Sequence, residues 1–355
     1  VNINGNEVNL SISKNSSNSS SGNLNDGPTS NNSLKTTNTK SDHQNCAFCE
    51  STLKSKPILN GVDADSDGKK IIHLLKCSNC DLIQSDRSMI SSEFDERYFE
   101  GYYGETRPKR AGLLIRFFEA ERKWRALGNR SSGTVLDVGC GDGSFLKSLS
   151  TSFRKFGFEP SKAGSDSLKK HGITAVTLDA KQDQLQGKID VVTLWHSLEH
   201  VDHPKKTAES IFPFLSSNGE VYLSVPNFGS FQSILTGSKW FHLDPTRHLL
   251  HFKKKTLRNI LESCGFKITS VDTWSFEYNV FGWWQSMLNI FPFKMNWAYK
   301  RIKRFEPLAP GLLEKIKWLT YLTIGIALLP IAFTLSILES FSGNGGVLNV
   351  RAKKK

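Results

Sequence analysis

The chain has 355 residues, 38% of them hydrophobic, and 46 Lys and Arg against 34 Asp and Glu, a formal charge of +12. That length suits one α/β domain of ordinary size with appendages. The composition excludes a packed start: the first 45 residues are mostly Asn, Ser, Thr, Gly and Lys, hold no aromatic residue, and cannot bury enough apolar surface to offset their chain entropy.

Residues 1–44 therefore read as a disordered tail. With no central apolar run, the tail is not expected to be a signal peptide. Its Lys14, Lys35 and Lys40 balance Glu7, Asp26 and Asp42, so the basic excess lies further on. Such an excess can serve nucleic acid, anionic lipid or an anionic substrate, or can be a solvated surface.

The next segment, 45–92, carries C-A-F-C and C-S-N-C, separated by 27 residues. Each pair can hold two thiolates in a tight turn. Cys46, Cys49, Cys77 and Cys80 together make the four-thiolate set of a structural zinc ribbon. D-A-D-S-D-G (63–68) reads as a loop within it, and F-D-E-R-Y-F-E-G-Y-Y-G (94–104) is an aromatic segment. A helix is expected over Lys109 to Leu127.

From residue 134 short apolar strands alternate with helices. Strands are expected at 134–138, 153–159, 173–178, 189–195, 219–226, 267–273 and 346–353. Helices are expected after the glycines at 139–143, over the S-K-A-G stretch, and at 253–266. The rhythm argues for a parallel sheet covered on both faces.

V-L-D-V-G-C-G-D-G-S-F-L (135–146) places Gly139, Gly141 and Gly143 directly after a strand and before a helix. Glycines there allow a sharp turn and close approach of a ligand. The spacing is tighter than in a dinucleotide turn, and Asp137 and Asp142 line it with acid. An acid-lined turn suits a ligand carrying ammonium and sulfonium groups rather than a pyrophosphate. Glu159, twenty positions after Gly139, ends the next strand, where a carboxylate can accept both ribose hydroxyl hydrogens.

These residues resemble the class I S-adenosylmethionine-dependent methyltransferases. The resemblance covers residues 94–276 and the strand at the C-terminal end. It implies a Rossmann-like seven-stranded α/β sheet. It also implies cofactor contacts from Asp137, Gly139, Cys140, Gly141, Gly143, Glu159, Asp179 and Trp195, with Asp179 at the adenine. V-P-N-F-G-S-F and G-S-K-W-F-H-L-D-P-T-R-H-L-L-H-F are similar to a bacterial subgroup of the class. The zinc pairs with Y-Y-G are similar to sugar methyltransferases bearing a zinc module, although the extra C-terminal domain of those enzymes is not expected here, which speaks against nucleotide-sugar C-methylation.

Two histidine-rich stretches suit the reacting side. His196, Glu199 and His200 in W-H-S-L-E-H would share one face on a helix and spell an inverted zinc-peptidase pattern. Ubiquinone-type O-methyltransferases are similar here, with an acid where His196 stands, and the resemblance implies a divalent ion near Glu199 and His200. His196 is the expected general base, closest to the strand tip, and His248 the second choice. Asp244 and Arg247 could bind an anionic or hydroxylated acceptor.

Residues 277–342 interrupt the expected final hairpin. Aromatic residues come first, then Lys300, Arg301, Lys303 and Arg304, then 21 uncharged residues, 318–338. That run is long enough to span a bilayer. The flanking strands should pair in one sheet, which argues against a single crossing; an even number, or an in-plane or re-entrant helix, satisfies the topology, and a buried core or dimer helix is the alternative. Pro330 permits a kink. Aromatics beside basic residues suit the cytoplasmic headgroup interface of a membrane.

The expected organisation is thus a tail (1–44), zinc ribbon (45–92), methyltransferase core (93–276), membrane-associated insert (277–342) and last strand with basic tail (343–355). The expected function is S-adenosylmethionine-dependent O-methylation of a lipid-linked or saccharide small molecule at the membrane, with structural zinc. An RNA methyltransferase gripping RNA through the ribbon and basic surface is one alternative. A zinc-containing scaffold without catalysis is the other.

Overall fold

The computed structural model describes residues 44–53, 56–66, 68–90, 112–178, 184–303 and 307–355. The tail up to residue 43, the aromatic segment 94–104 and Asp179 lie outside the described residues.

The N-terminal module contributes β1 (Leu59–Val62), β2 (Ile71–Lys76) and β3 (Ile83–Ser85), paired antiparallel. Helix α1 (Gly112–Leu127) follows, then β4 (Gly133–Val138), α2 (Ser144–Ser148), β5 (Phe153–Phe158), α3 (Lys162–Lys170) and β6 (Thr174–Ala175). The chain continues through β7 (Ile189–Trp195), α4 (Pro204–Ile211), β8 (Leu215–Pro226) and α5 (Phe231–Thr236). Then come β9 (Leu250–His251), α6 (Lys254–Ser263) and β10 (Phe266–Asp272).

The main sheet has seven strands in the order β10-β11-β8-β7-β4-β5-β6, where β11 is Val347–Lys354. Only β11 runs antiparallel to its neighbours. This is the Rossmann-like seven-stranded arrangement expected from the sequence. The central strands β4 and β7 are apolar and buried nearly throughout, as strands covered on both faces must be. Each βα passage leaves its loop at the carboxyl edge of the sheet, where ligands of open α/β sheets sit.

Three features depart from the expected elements. The strand anticipated over 173–178 shrinks to Thr174–Ala175, an edge strand paired only with Phe156 and Gly157. The H-x-x-E-H stretch is not an α-helix: His196 takes φ +48° and only Leu198–His200 form a 3₁₀ turn. The N-terminal sheet is completed by β9 from inside the core, through Ile83 opposite His251 and Gln84 opposite Leu250. Cys46, Leu53, Leu75, Cys77 and Leu82 accordingly share one apolar cluster with Leu250, Phe252 and Val225.

Residues between β10 and β11 form a π-helical turn (Phe276–Val280), α7 (Phe281–Leu288), α8 (Trp297–Lys303) and α9 (Leu312–Phe341). Pro330 sits inside α9, which continues past it as one 30-residue helix. Lys300 of α8 donates to the carbonyl of Ala64 at 2.7 Å, tying the insert to the N-terminal loop at 63–68.

Candidate active site

The site begins where β4 ends. Gly139, Gly141 and Gly143 all take positive φ, +73°, +57° and +77°. L-residues rarely adopt that region, and space is short as well: a Cβ on Gly139 would lie 2.5 Å from Cβ of Ser197. The N–H groups of Gly139 and Cys140 both donate to the Phe158 carbonyl, at 2.8 and 3.1 Å, which sews the turn to β5. Asp142 accepts from the Ser144 N–H at 3.0 Å and lies 3.3 Å from Lys147, so it caps the start of α2. Cys140 turns its sulfur into the core beside Gly157, leaving its main chain to face the turn.

Glu159 follows β5 and is buried. Its two oxygens accept from the N–H groups of Gly141 (2.8 Å) and Ser161 (3.1 Å). Each carboxylate oxygen keeps a second lone-pair direction, which is what a ribose diol needs. Asp137 is also buried and accepts from the Thr193 hydroxyl at 2.7 Å. Burial raises its pKa to about 7, opposed by that hydrogen bond and by Arg122. Trp195, at the tip of β7, packs between Tyr222 (4.9 Å between ring centres) and Phe145 (5.5 Å).

Three polar groups the sequence did not single out close the pocket. Arg122 of α1 donates to Glu277 at 2.6 Å and to the Tyr278 hydroxyl at 3.0 Å. Its guanidinium carbon lies 6.0 Å from the Trp195 ring, and burial fails to depress it because Tyr278, Glu277 and Asp137 surround it with negative potential. Tyr278 packs against His196, tilted by 34° with ring centres 3.9 Å apart. No local pattern could have announced these pairs, since Arg122 and Glu277 are 155 positions apart.

On the reacting side, His196 is held at a strained turn, its N–H donating to the Ser224 carbonyl at 2.9 Å. Its Nδ1 lies 3.2 Å from Oε1 of Glu199. Burial disfavours the Glu199 carboxylate, but the hydrogen bond from His196 outweighs it, holding the pKa at about 2. An ionised carboxylate only accepts, so Nδ1 is the donor of this contact and Nε2 is the ring nitrogen left over. That Nε2 is buried and has no hydrogen-bond partner among the described residues.

His248 is placed differently. Its Nδ1 donates to the His242 carbonyl at 2.8 Å, while Nδ1 of His200 donates to the Arg247 carbonyl at 2.8 Å. Burial keeps His248 neutral, with its pKa well below the usual range. Ligand atoms of Glu199, His200 and His248 all lie within 4.8 Å of one another, and Oε2 of Glu199 has no partner among the described residues. One carboxylate oxygen and two imidazole nitrogens, each ring fixed by a carbonyl at Nδ1, form a donor set a divalent transition-metal ion can use. His196 is not part of this group and meets Glu199 through the other contact, Nδ1 to Oε1.

Asp244 and Arg247 are engaged internally. Arg247 is buried, 2.6 Å from Asp244 and 3.3 Å from Asp65 of the N-terminal loop. Its charge ties two segments of the protein together. The four N-terminal cysteines converge as well. Their sulfurs lie within 4.8 Å of one another, with Cys46–Cys80 and Cys49–Cys77 each at 3.5 Å, and none is in a disulfide. Tetrahedral thiolates at about 2.3 Å from zinc stand about 3.8 Å apart, close to this spacing.

Residues 103–271 match a family model described as a methyltransferase domain. The mitochondrial ubiquinone biosynthesis O-methyltransferase of Candida albicans is 30% identical over 165 residues, covering 41% of this chain and 48% of that protein. The corresponding protein of Saccharomyces cerevisiae is 28% identical over 209 residues, 52% of this chain and 65% of the relative. The chain therefore spans between about half and two thirds of the length of these relatives. A solved S-adenosylmethionine-dependent methyltransferase from Archaeoglobus fulgidus aligns over 74% of this chain and 100% of its own, with 16% identity and a TM-score of 0.40. Residues 103–271 thus carry a methyltransferase domain, with its glycine turn set in a seven-stranded sheet.

Proposed function

We propose that the protein transfers the methyl group of S-adenosylmethionine to a hydroxyl of a small lipid-linked or saccharide acceptor at a membrane. The observation that carries this reading is the His196–Glu199 pair. An imidazole oriented through Nδ1 by a buried carboxylate, with Nε2 unpartnered among the described residues beside the tip of β7, is the arrangement a hydroxyl nucleophile needs. As the acceptor oxygen bonds to the methyl carbon, the C–S bond breaks, the sulfonium becomes a neutral thioether, and the hydroxyl proton passes to Nε2. Glu199 then faces an imidazolium and offsets its charge.

The cofactor would lie over the turn Gly139–Gly143, with its ribose on Glu159, its ammonium toward the acidic end of β4 at Asp137, and Trp195 against its side. Asp179 remains the proposed adenine contact. A divalent ion held by Glu199, His200 and His248 would polarise an acceptor oxygen. A zinc ion held by Cys46, Cys49, Cys77 and Cys80 would have no open position, so its role is folding. The names of the relatives, which act in ubiquinone biosynthesis, support a small amphiphilic acceptor. Helix α9, apolar enough in composition and length to cross a membrane, supports docking on the cytoplasmic face of one.

The test is methyl-label transfer from S-adenosylmethionine into lipid, saccharide and RNA extracts. Label recovered in an alkali-stable ether of a lipid or saccharide supports the reading. Label confined to RNA overturns it.

A further inference from the structure

Helix α5 presents its side chains in an inverted order for a water-facing helix. Phe231, Ile234 and Leu235 are 42%, 68% and 71% exposed, while Gln232 and Ser233 between them are buried. The buried side explains the inversion. Gln232 donates through Nε2 to Glu339 of α9 at 2.7 Å, and Glu339 also accepts from the Gly346 N–H at 3.1 Å. The inner faces of α5 and α9 meet at this polar seam.

Helix α9 lies along the body of the protein. Its buried residues Tyr321, Gly325, Ala332, Ser336 and Glu339 form one stripe at helical spacing. Tyr321 is held by Gln285 at 3.1 Å near one end of the stripe, and Glu339 by Gln232 at the other. Crossing a bilayer would draw this polar seam and the sheet edge beside it into hydrocarbon, where unmatched polar groups are costly. Away from the stripe the helix is bare: Ile326, Leu329, Ile331 and Leu338 are exposed, and only 22% of its most apolar window is buried. A protein partner, including a second copy, covers one stripe of a helix. A surface bare around most of its circumference is matched by a fluid apolar phase. Exposed Lys294, Lys315 and Lys317 flank the start of α9, where headgroup phosphates would meet them.

We infer that α5 and α9 form one lipid-facing surface lying in the plane of a single leaflet, with the acceptor side of the catalytic site directly beneath it. The link to the site is short. Phe276 packs on Phe333 of α9 with ring centres 6.3 Å apart, and Tyr278, two residues on, packs against His196. Gly282 of α7 is wedged against Gln232 of α5 and His242, where a Cβ would come within 2.7 Å of the His242 ring. An amphiphilic acceptor could then reach His196 from the leaflet without entering bulk water. The inference rests on the membrane reading above and adds its geometry, in which α5, outside the insert, is an essential part.

The full-length protein is floated with phosphatidylcholine vesicles, with and without phosphatidylglycerol. The variants are Ile234→Asp/Leu235→Asp and, as a control on another face, Ile58→Asp. Wild type and the Ile58 variant should float, more strongly with anionic lipid. The α5 double variant should lose about tenfold in partition for each apolar side chain withdrawn, about a hundredfold in all, while its S-adenosylmethionine affinity stays at the wild-type value. Equal flotation of wild type and the α5 variant overturns the in-plane surface and leaves α9 alone as an anchor, with the membrane reading intact. Wild type that does not float at all overturns both. A wild-type dimer in sedimentation that the α5 variant dissociates, without vesicle binding, assigns the face to a second copy and also overturns the inference.

Discussion

Replacing Glu159 separates two roles that one side chain performs. Both of its oxygens accept backbone N–H groups in the protein, from Gly141 and Ser161, and the residue is 9% exposed. Hydrogen bonds to a charged acceptor are worth about 1.5–3 kcal/mol each, and a buried donor left without a partner costs about 1–3 kcal/mol. Glu159→Ala strands two donors at once, one of them in the glycine turn. Some relief by water is expected, so the apo protein should lose about 2–4 kcal/mol and melt several degrees lower. Glu159→Gln keeps one carbonyl oxygen for one N–H but aims its amide donors at the other, so its stability loss should be about half as large. Both variants also lose the charged acceptor for the ribose hydroxyls, which should weaken S-adenosylmethionine binding at least about tenfold for Gln and more for Ala. Thermal melts of the apo proteins and calorimetric titration with the cofactor measure the two effects separately. If Glu159→Gln binds with wild-type affinity, the ribose assignment is wrong. If Glu159→Ala melts like wild type, Glu159 does not hold the turn.

His196→Ala should lower turnover by about 10²–10⁴ with cofactor affinity unchanged, because the ring meets the acceptor rather than the turn; wild-type turnover on an identified acceptor removes it from the mechanism. Metal analysis should find one zinc ion per chain bound by the four cysteines, and its removal by a strong chelator should unfold strands β1–β3; zinc-free protein with an unchanged melt refutes this. Asp137 makes apo stability depend on pH. Its folded pKa of about 7 stands above the ordinary 3.8, so the folded state binds the extra proton. Stability should therefore fall as pH rises from about 4 to about 7, by up to about 4 kcal/mol. Asp137→Asn should remove that dependence and exceed wild type in stability at pH 8, whereas parallel pH profiles for the two proteins would show that Asp137 is ionised throughout.

The parts of this protein that were legible as sequence are those whose physical cause is local. A run of consecutive apolar residues makes a buried strand wherever it lies, and three glycines after it relieve a strain that arises within the turn itself. The spacing from Gly139 to Glu159 is the length of one helix and one strand, so the acid reaches the turn by geometry that consecutive elements dictate. The four cysteines announced their cluster because each C-x-x-C pair is preorganised before the two pairs meet.

Contacts that depend on where distant segments pack could not be read in this way. The αL turn at His196 breaks the H-x-x-E-H face, and Glu199 pairs through one oxygen with His196 while the other approaches His200 and His248, a residue nearly fifty positions on. Arg247 reads as a charge awaiting a ligand, yet the N-terminal loop brings Asp65 against it. Two residues of β9 are too short a strand to carry a period, and they pair with β3 only because the insertion folds back over the ribbon. The apolar run 318–338 says that its side chains avoid water, but nothing in its order says which side meets protein. That was decided by Gln232, Gln285 and Glu339, whose buried hydrogen bonds orient one stripe of α9 inward and leave the rest outside.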